Sequence, residues 1–249
     1  MPSPPWRRFR HGVVASTNDL AFAAIETGEA QHGDAFIAEA QTAGRGTRGR
    51  RWESEVGGLY LSVVLRSETM PPPGAWTCAG ALAVHDLAAS GGADVVIKWP
   101  NDVTTPAGAK IAGVLAESRG LRAEGPATFV LGIGLNVGGR GPSSALRAER
   151  PVASLDEVAP GLELADAEEG LLASLERRTA EIRQDPGALY AAFFDRCALG
   201  GERVLVEGAE QQVRGTWTGL DPFLGLRIEE GGRARHLPVA HVRSVQSAP

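Results

Sequence analysis

Ala38-Glu39-Ala40-Gln41-Thr42-Ala43-Gly44-Arg45-Gly46-Thr47-Arg48-Gly49-Arg50-Arg51-Trp52 is the stretch on which the reading of this chain turns. The apolar run Ala35-Phe36-Ile37-Ala38 leads into it. The alternating run Leu59-Tyr60-Leu61-Ser62-Val63-Val64-Leu65 follows it. Both read as strands. Between them, the quoted stretch carries three glycines and four arginines. Glycine lets a backbone come close to a ligand. Arginine brings a permanent charge and a fork shaped for phosphate or carboxylate. Clustered like charge and glycine entropy predict a loop that is mobile when empty and ordered over an anion. Gly44, Gly46 and Gly49 satisfy G-x-G-x-x-G literally, but a dinucleotide site needs a helix to start there. The next element here is a strand, so that reading is set aside.

Outward from this loop, the N-terminal segment before Ser16 reads as an irregular or strand-like lead-in. Ser16-Thr17-Asn18-Asp19 opens a helix, with these side chains expected to cap its free N–H groups. Trp76 to Ala89 reads as a buried Ala-rich helix. Asp94 to Trp99 is a strand that stops at Pro100, followed by a turn at Asn101-Asp102. Lys110 to Ser118 and Phe129 to Val137 are further strands. This arrangement brings Lys98, Asn101, Asp102 and Lys110 towards one end of a hairpin, and Gly132 and Gly134 leave room for a planar ring against the backbone. Gly138 to Pro151 reads as a mobile loop. Asp166 to Ile182 and Gly187 to Cys197 look helical. Gly200-Gly201 marks a boundary, and four short strands beyond it fit a small SH3-like barrel. The expected division is 1–199 and 200–249.

Of the 25 basic residues only Lys98 and Lys110 are lysines. A compact amine suits a single phosphate oxygen better than arginine's fork. The net charge of −5 argues against a general nucleic-acid binder. The segment from Gly200 to the end holds six basic and six acidic residues, without a basic stripe. The chain shows no signal core and no membrane-length apolar run, which points to the cytoplasm. Cys78 and Cys197 match no metal spacing and read as small buried apolar residues. The five histidines are scattered, so no protein metal site is expected.

Five motifs stand in order: Ser16-Thr17-Asn18; Gln41 through Gly44-Arg45-Gly46 to Arg48-Gly49-Arg50-Arg51-Trp52; Lys98-Trp99-Pro100-Asn101-Asp102; Lys110-Ile111-Ala112-Gly113-Val114-Leu115-Ala116-Glu117; and Gly132-Ile133-Gly134-Leu135-Asn136. Together they resemble the biotin protein ligases. The resemblance implies an α+β fold, a mixed sheet with helices related to class II tRNA-synthetase domains, followed by an SH3-like barrel. It implies two steps: biotin and ATP give biotinyl-5′-AMP and pyrophosphate with Mg²⁺, and a lysine of a biotin carboxyl carrier protein then takes the biotinyl group. By the same resemblance Ser16, Thr17, Asn18 and Gln41 bind the ureido group, and the backbone of Arg45, Gly46 and Thr47 lines the tail. Lys110 contacts biotin and phosphate, with Arg45 and Asp102 beside it. Arg48, Arg50, Trp52, Lys98, Asn101 and Asn136 fall on the nucleotide side. Asp102 is left between Mg²⁺, nucleotide and incoming amine.

Two departures stand out. Thr47 occupies a position where bacterial members often carry arginine, which bears on retention of the adenylate. The N-terminal DNA-binding domain of bifunctional members is not expected, nor is operator binding. The competing enzyme is a lipoate–protein ligase or octanoyl transferase of related fold; the arginine-rich loop with Trp52 favours biotin. A non-enzymatic biotin sensor or nucleic-acid module is the other class.

Overall fold

The computed structural model describes residues 6–120, 126–139, 143–208 and 211–248. The extreme N-terminus of the lead-in and part of the segment after Gly138 lie outside them. Strands β1 (Arg7–Val14), β2 (Asp34–Gln41), β3 (Leu59–Ser67), β4 (Val96–Lys98), β5 (Asp102–Thr104), β6 (Lys110–Glu117) and β7 (Ala127–Leu135) form one sheet in the order β1-β2-β3-β7-β6-β5-β4. β1 and β2 are parallel and the other pairs antiparallel, so the sheet is mixed as expected.

Helix α1 (Thr17–Glu26) covers one face, where Ala21 and Phe22 pack with Phe36, Val64 and Val130. Helices α2 (Ala75–Ser90), α5 (Leu164–Gln184) and α6 (Pro186–Asp195) belong to the main core with Leu61, Val63, Leu131 and Ile133. Such side chains go from water to near-zero exposure, each stabilising by roughly 1.5–3 kcal/mol. The alternation of Leu59–Leu65 makes this possible, because successive side chains serve opposite faces.

Two short helices, α3 (Ser144–Glu149) and α4 (Leu155–Val158), follow β7. The segment expected as a loop therefore contains a helix. Ser143 accepts from the Leu146 N–H at 3.2 Å, a local cap outweighing the Gly- and Arg-rich composition. Beyond Gly201, β8 (Arg203–Gly208), β9 (Gln212–Asp221), β10 (Gly225–Glu230), β11 (Arg233–Leu237) and β12 (Val242–Ser247) form an antiparallel sheet in the order β11-β10-β9-β8-β12. This is the expected SH3-like unit with one strand more than the sequence suggested. β12 is short, carries Arg243, Ser244 and Gln246, and lacks a strong apolar alternation.

The two sheets share a core. Trp217 of β9 is fully buried and meets Trp99 edge-on, with ring centroids 5.8 Å apart. Phe194 meets Trp217 at 5.4 Å. Cys78 and Cys197 are buried, and burial pushes both thiols well above the usual range. They are inert apolar filler, as read from the sequence.

Candidate active site

α1 begins at the inner end of the site, and its first turn is polar for a reason that sequence capping rules missed. Ser16 makes no side-chain cap. The orphan N–H of Thr17 donates instead to Gln41 Oε1 at 2.8 Å. Gln41 Nε2 donates in turn to Ser54 Oγ at 2.8 Å. A side chain from β2 thus caps the helix, which frees Ser16, Thr17 and Asn18 to line a cavity. All three are buried.

Asn18 is held from both sides. Its Oδ1 accepts from Ser62 Oγ, and its Nδ2 donates to Glu117 Oε2 at 2.6 Å. Glu117 also receives Arg45 Nη2 at 2.9 Å, and Arg45 Nη1 pairs with Asp19. Neither Ser62 nor Glu117 stood out in the sequence as a site residue. The available signal for Ser62 was a lone hydroxyl inside an apolar strand.

Lys110 opens β6. Its Nζ lies 2.6 Å from Asp102 Oδ1 and 5.0 Å from the Trp52 ring centroid. Burial lowers the Lys110 pKa below that of an ordinary lysine. The Asp102 carboxylate opposes that shift, while Arg50 and Arg150 reinforce it. The pairing of Asp102 with Lys110 follows from strand register: Asp102 stands opposite Gly113 and Thr104 opposite Lys110.

The loop from Gly44 to Trp52 folds back on itself over this floor. Trp52 N–H donates to Gly44 O at 2.9 Å and Gly46 N–H to Arg50 O at 2.7 Å. The Trp52 indole lies flat against β7. A Cβ placed on Gly134 would come within 2.4 Å of the indole Cε2 and Nε1. Gly132 and Gly134 were expected to leave room for a planar ring; at Gly134 the ring is the chain's own, and at Gly132 the place is taken by the Asn18 side chain. The indole N–H is buried and has no hydrogen-bond partner among the described residues.

The cleft beneath this loop, about 50 Å³, is bordered by Ser16, Asn18, Arg45, Trp52, Lys110 and Gly134 among others. That is room for a few waters. Thr17, Gln41, Gly46, Thr47, Arg50 and Asn101 also border it.

Other expected residues lie apart. Lys98 is exposed on β4, opposite Asp102 in register, and does not border this cavity. Asn136 is buried and donates to the carbonyls of Lys110 at 3.3 Å and Ala153 at 3.0 Å, so it braces the strand under Lys110. Arg48 turns away and donates to the Arg243 carbonyl of the C-terminal sheet. Asn101 does border the cavity, but its amide also clasps Val114 O at 2.9 Å. Arg51, one of the loop arginines expected to clamp phosphate, borders the cavity, and so does Arg150, which had been assigned no role.

Residues 12–136 match the model of the biotin/lipoate A/B protein ligase family. The chain belongs to this family. It is 30% identical over 242 residues to the biotin–[acetyl-CoA-carboxylase] ligase of Paracoccus denitrificans, covering 92% of this chain and 98% of that protein. It is 41% identical over 128 residues to the bifunctional ligase/repressor BirA of Escherichia coli K12, an alignment covering 50% of this chain and 39% of BirA. In fold it is similar to the biotin protein ligase of Aquifex aeolicus, solved in complex with biotin and ATP, with a TM-score of 0.75 over 97% of this chain and 99% of that one at 22% identity.

Among the described residues no group of three or more His, Cys, Asp or Glu side chains is placed to hold a metal. Likewise no helix of the described residues is long and apolar enough to cross a membrane.

Proposed function

We propose that this chain is an ATP-dependent biotin–protein ligase that makes biotinyl-5′-AMP and passes the biotinyl group to a lysine of a carrier protein. The observation that carries this reading is the Lys110–Asp102 pair, set at the edge of a cavity whose inner end is hydroxyl and amide and whose outer end is cationic. A carboxylate attacking a phosphate brings two anions together, and fixed positive charge is what makes that approach possible.

In the first step a carboxylate oxygen of biotin attacks the α-phosphorus of ATP. The bond from that phosphorus to the bridging oxygen breaks, and pyrophosphate leaves with the electron pair. Ser16, Thr17, Asn18 and Gln41 hold the ureido end. Thr17 bonds Gln41, and Asn18 is held by Ser62 and Glu117, so little ordering of these three is left to do on binding. Lys110 stabilises charge at the α-phosphate, and Asp102 keeps its ammonium charged against burial. In the second step the amine nitrogen of the carrier lysine attacks the acyl carbon, AMP departs and an amide forms. Mg²⁺ enters with the nucleotide, since a magnesium ion bound chiefly through substrate phosphates and water needs no protein cage.

The carrier is the biotinyl domain of a carboxylase, and the compartment is the cytoplasm. Residues 1–199 form the catalytic unit and 200–249 the appended barrel. Arg50, Trp52 and Asn101 meet the nucleotide directly, whereas Lys98, Arg48 and Asn136 act from outside the cavity. The loop from Gly44 to Trp52 lies over this floor and closes on bound biotin. Hydrogen exchange across residues 44–51 should show protection only after biotin is added.

The deciding experiment is pyrophosphate release with ATP and biotin, run beside ATP and lipoate. Biotin-dependent release supports this reading. Release with lipoate alone transfers the chain to the lipoyl branch of its family, and no release with either points to a sensor.

A further inference from the structure

The cations around the cavity fall into two groups once their partners are counted. Arg45 is spent on Asp19 and Glu117, and Lys110 is paired with Asp102. Arg50 makes only a hydroxyl contact, to Thr47 Oγ1 at 3.1 Å, besides a long bond to the Thr47 carbonyl at 3.4 Å. Arg51 donates only to the Thr42 carbonyl, at 3.2 Å. Arg150 has no hydrogen bond or ion pair from its side chain to any described residue. Arg50, Arg51 and Arg150 therefore bring charge to the cavity that forms no ion pair among the described residues. An arginine already held by two carboxylates must break those bonds to take a phosphate; an unpaired one need not.

The backbone that carries Arg150 is tied to the lysine it serves. It follows α3 in extended backbone, and its own N–H donates to Leu146 O at 3.1 Å. The next residue, Pro151, accepts from the Lys110 N–H at 3.0 Å, and Ala153 N–H donates back to Lys110 O at 3.0 Å. The segment is thus stitched to the first residue of β6. Arg51 and Arg150 border a second, outer cavity of about 280 Å³ next to the first. Glu53, Glu55 and Glu149 line that outer side. Cation within and carboxylate without sets a limit: an anion is drawn to the two arginines and no further.

We propose that Arg150, with Arg51 and Arg50, binds the β- and γ-phosphates of ATP and the pyrophosphate that leaves. The inference rests on the ligase reading for its substrate and assigns a residue that reading did not use. Arg150 touches the leaving group, so it acts on nucleotide binding and on departure of pyrophosphate, not on biotin.

The test uses the 249-residue chain and its Arg150→Ala and Arg150→Lys variants. Calorimetric titration with inorganic pyrophosphate alone comes first. A lost charge-assisted contact should weaken pyrophosphate binding by about tenfold or more in Arg150→Ala, with partial recovery in Arg150→Lys. Steady-state assays should then show KM for ATP rising by a similar factor and KM for biotin within about twofold. Unchanged pyrophosphate affinity in Arg150→Ala overturns the proposal. So does an equal rise in both KM values, the mark of a brace for Lys110 alone. If pyrophosphate binding depends on Arg150 but no biotin-dependent turnover occurs, the phosphate site stands and the ligase reading fails.

Discussion

The floor of the site and its roof are both rich in glycine, yet glycine does opposite work in them. In the floor, Gly134 lies in the regular backbone of β7, and what matters is the missing side chain: Trp52 occupies the place a Cβ would take. In the roof, Gly49 has φ 72°, and a Cβ there would meet nothing within 4 Å. What matters there is the backbone angle. The floor is built for space inside a nine-residue strand paired on both sides. The roof is built for conformation, beside Arg48, which is the one non-glycine at positive φ among the described residues. A rigid surface under a hinged cover is what a reaction with a labile anhydride needs, because water must be shut out after the substrates enter.

The sharpest way to separate floor from roof is Lys110→Ala. Lys110 belongs to the floor by its strand and touches the roof only through Trp52. Loss of one charge aimed at developing charge costs about 10²–10³ in rate. Biotinyl-AMP formation should fall by that factor while thermal unfolding stays near the parent value. Adenylate made at close to the parent rate would remove Lys110 from the chemistry. The parent's pH profile sharpens the same point. Burial lowers the Lys110 pKa, so the charged form is present at low pH and is lost as pH rises through a value below the ordinary 10.5. The alkaline limb should therefore sit lower than for an exposed lysine. Asp102→Asn removes a charge that raises the pKa and should move the limb lower still.

Gly134→Ala comes next. The added methyl would overlap the indole, and Gly134 lies in a strand paired on both sides. Trp52 must leave its seat, and overpacking of this kind costs typically 1–3 kcal/mol. The expected outcome is a loss of biotin affinity by tenfold or more, with Trp52 fluorescence shifted towards that of exposed indole. Parent-like fluorescence and affinity would show that the strand yields, and that the floor is softer than its register suggests.

The difference between the two regions also explains what could be read in advance. The glycine-lined strand and the place of Lys110 were legible, because their residue types are rare there and have few other uses, whereas Lys98 falls outside the cavity. The mixed sheet was legible from alternation and turn chemistry. The cap on α1 was not: it comes from Gln41, across 24 residues, and local capping rules see only neighbours. The pairing of Arg45 was not legible either, since every arginine of the loop looks alike in sequence. Partners decide which charge is free, and Asp19 and Glu117 come from separate elements. Arg150 stood in a stretch read as a loop, and β12 lacked a clear alternation to announce it.

A smaller effect attends Thr47, which borders the cavity from the roof. A threonine gives up a charge-assisted contact worth about 1.5–3 kcal/mol to an adenylate phosphate. The intermediate should escape about tenfold faster than from a site with arginine there. The chain has only two lysines of its own, one of them half-buried and paired with Asp102, so escaped adenylate should label a lysine-rich bystander far more than the enzyme. Thr47→Arg should reduce bystander labelling in a shared incubation with biotin and ATP. If the parent labels no bystander, another arginine of the roof already holds the intermediate.

The smallest effect should come from Gly49→Ala, and it is the most direct check on the comparison. The position has open space around it, so no packing is disturbed. The cost is that of holding an L-residue in the left-handed region, roughly 1–2 kcal/mol. That cost falls on the closed roof alone, since an opened loop can relax to ordinary angles. The population of the closed form should drop by about five- to thirtyfold relative to the open one. Because binding draws on the closed form, KM for biotin should rise by no more than that factor. The melting temperature should hardly move, for the loop carries no core residue. Gly49→Asn, which tolerates positive φ better than alanine, should recover part of the loss. An alanine that raises KM without asparagine recovering any of it would mean that a side chain at 49 obstructs the ligand, and the roof, like the floor, would then be using glycine for space.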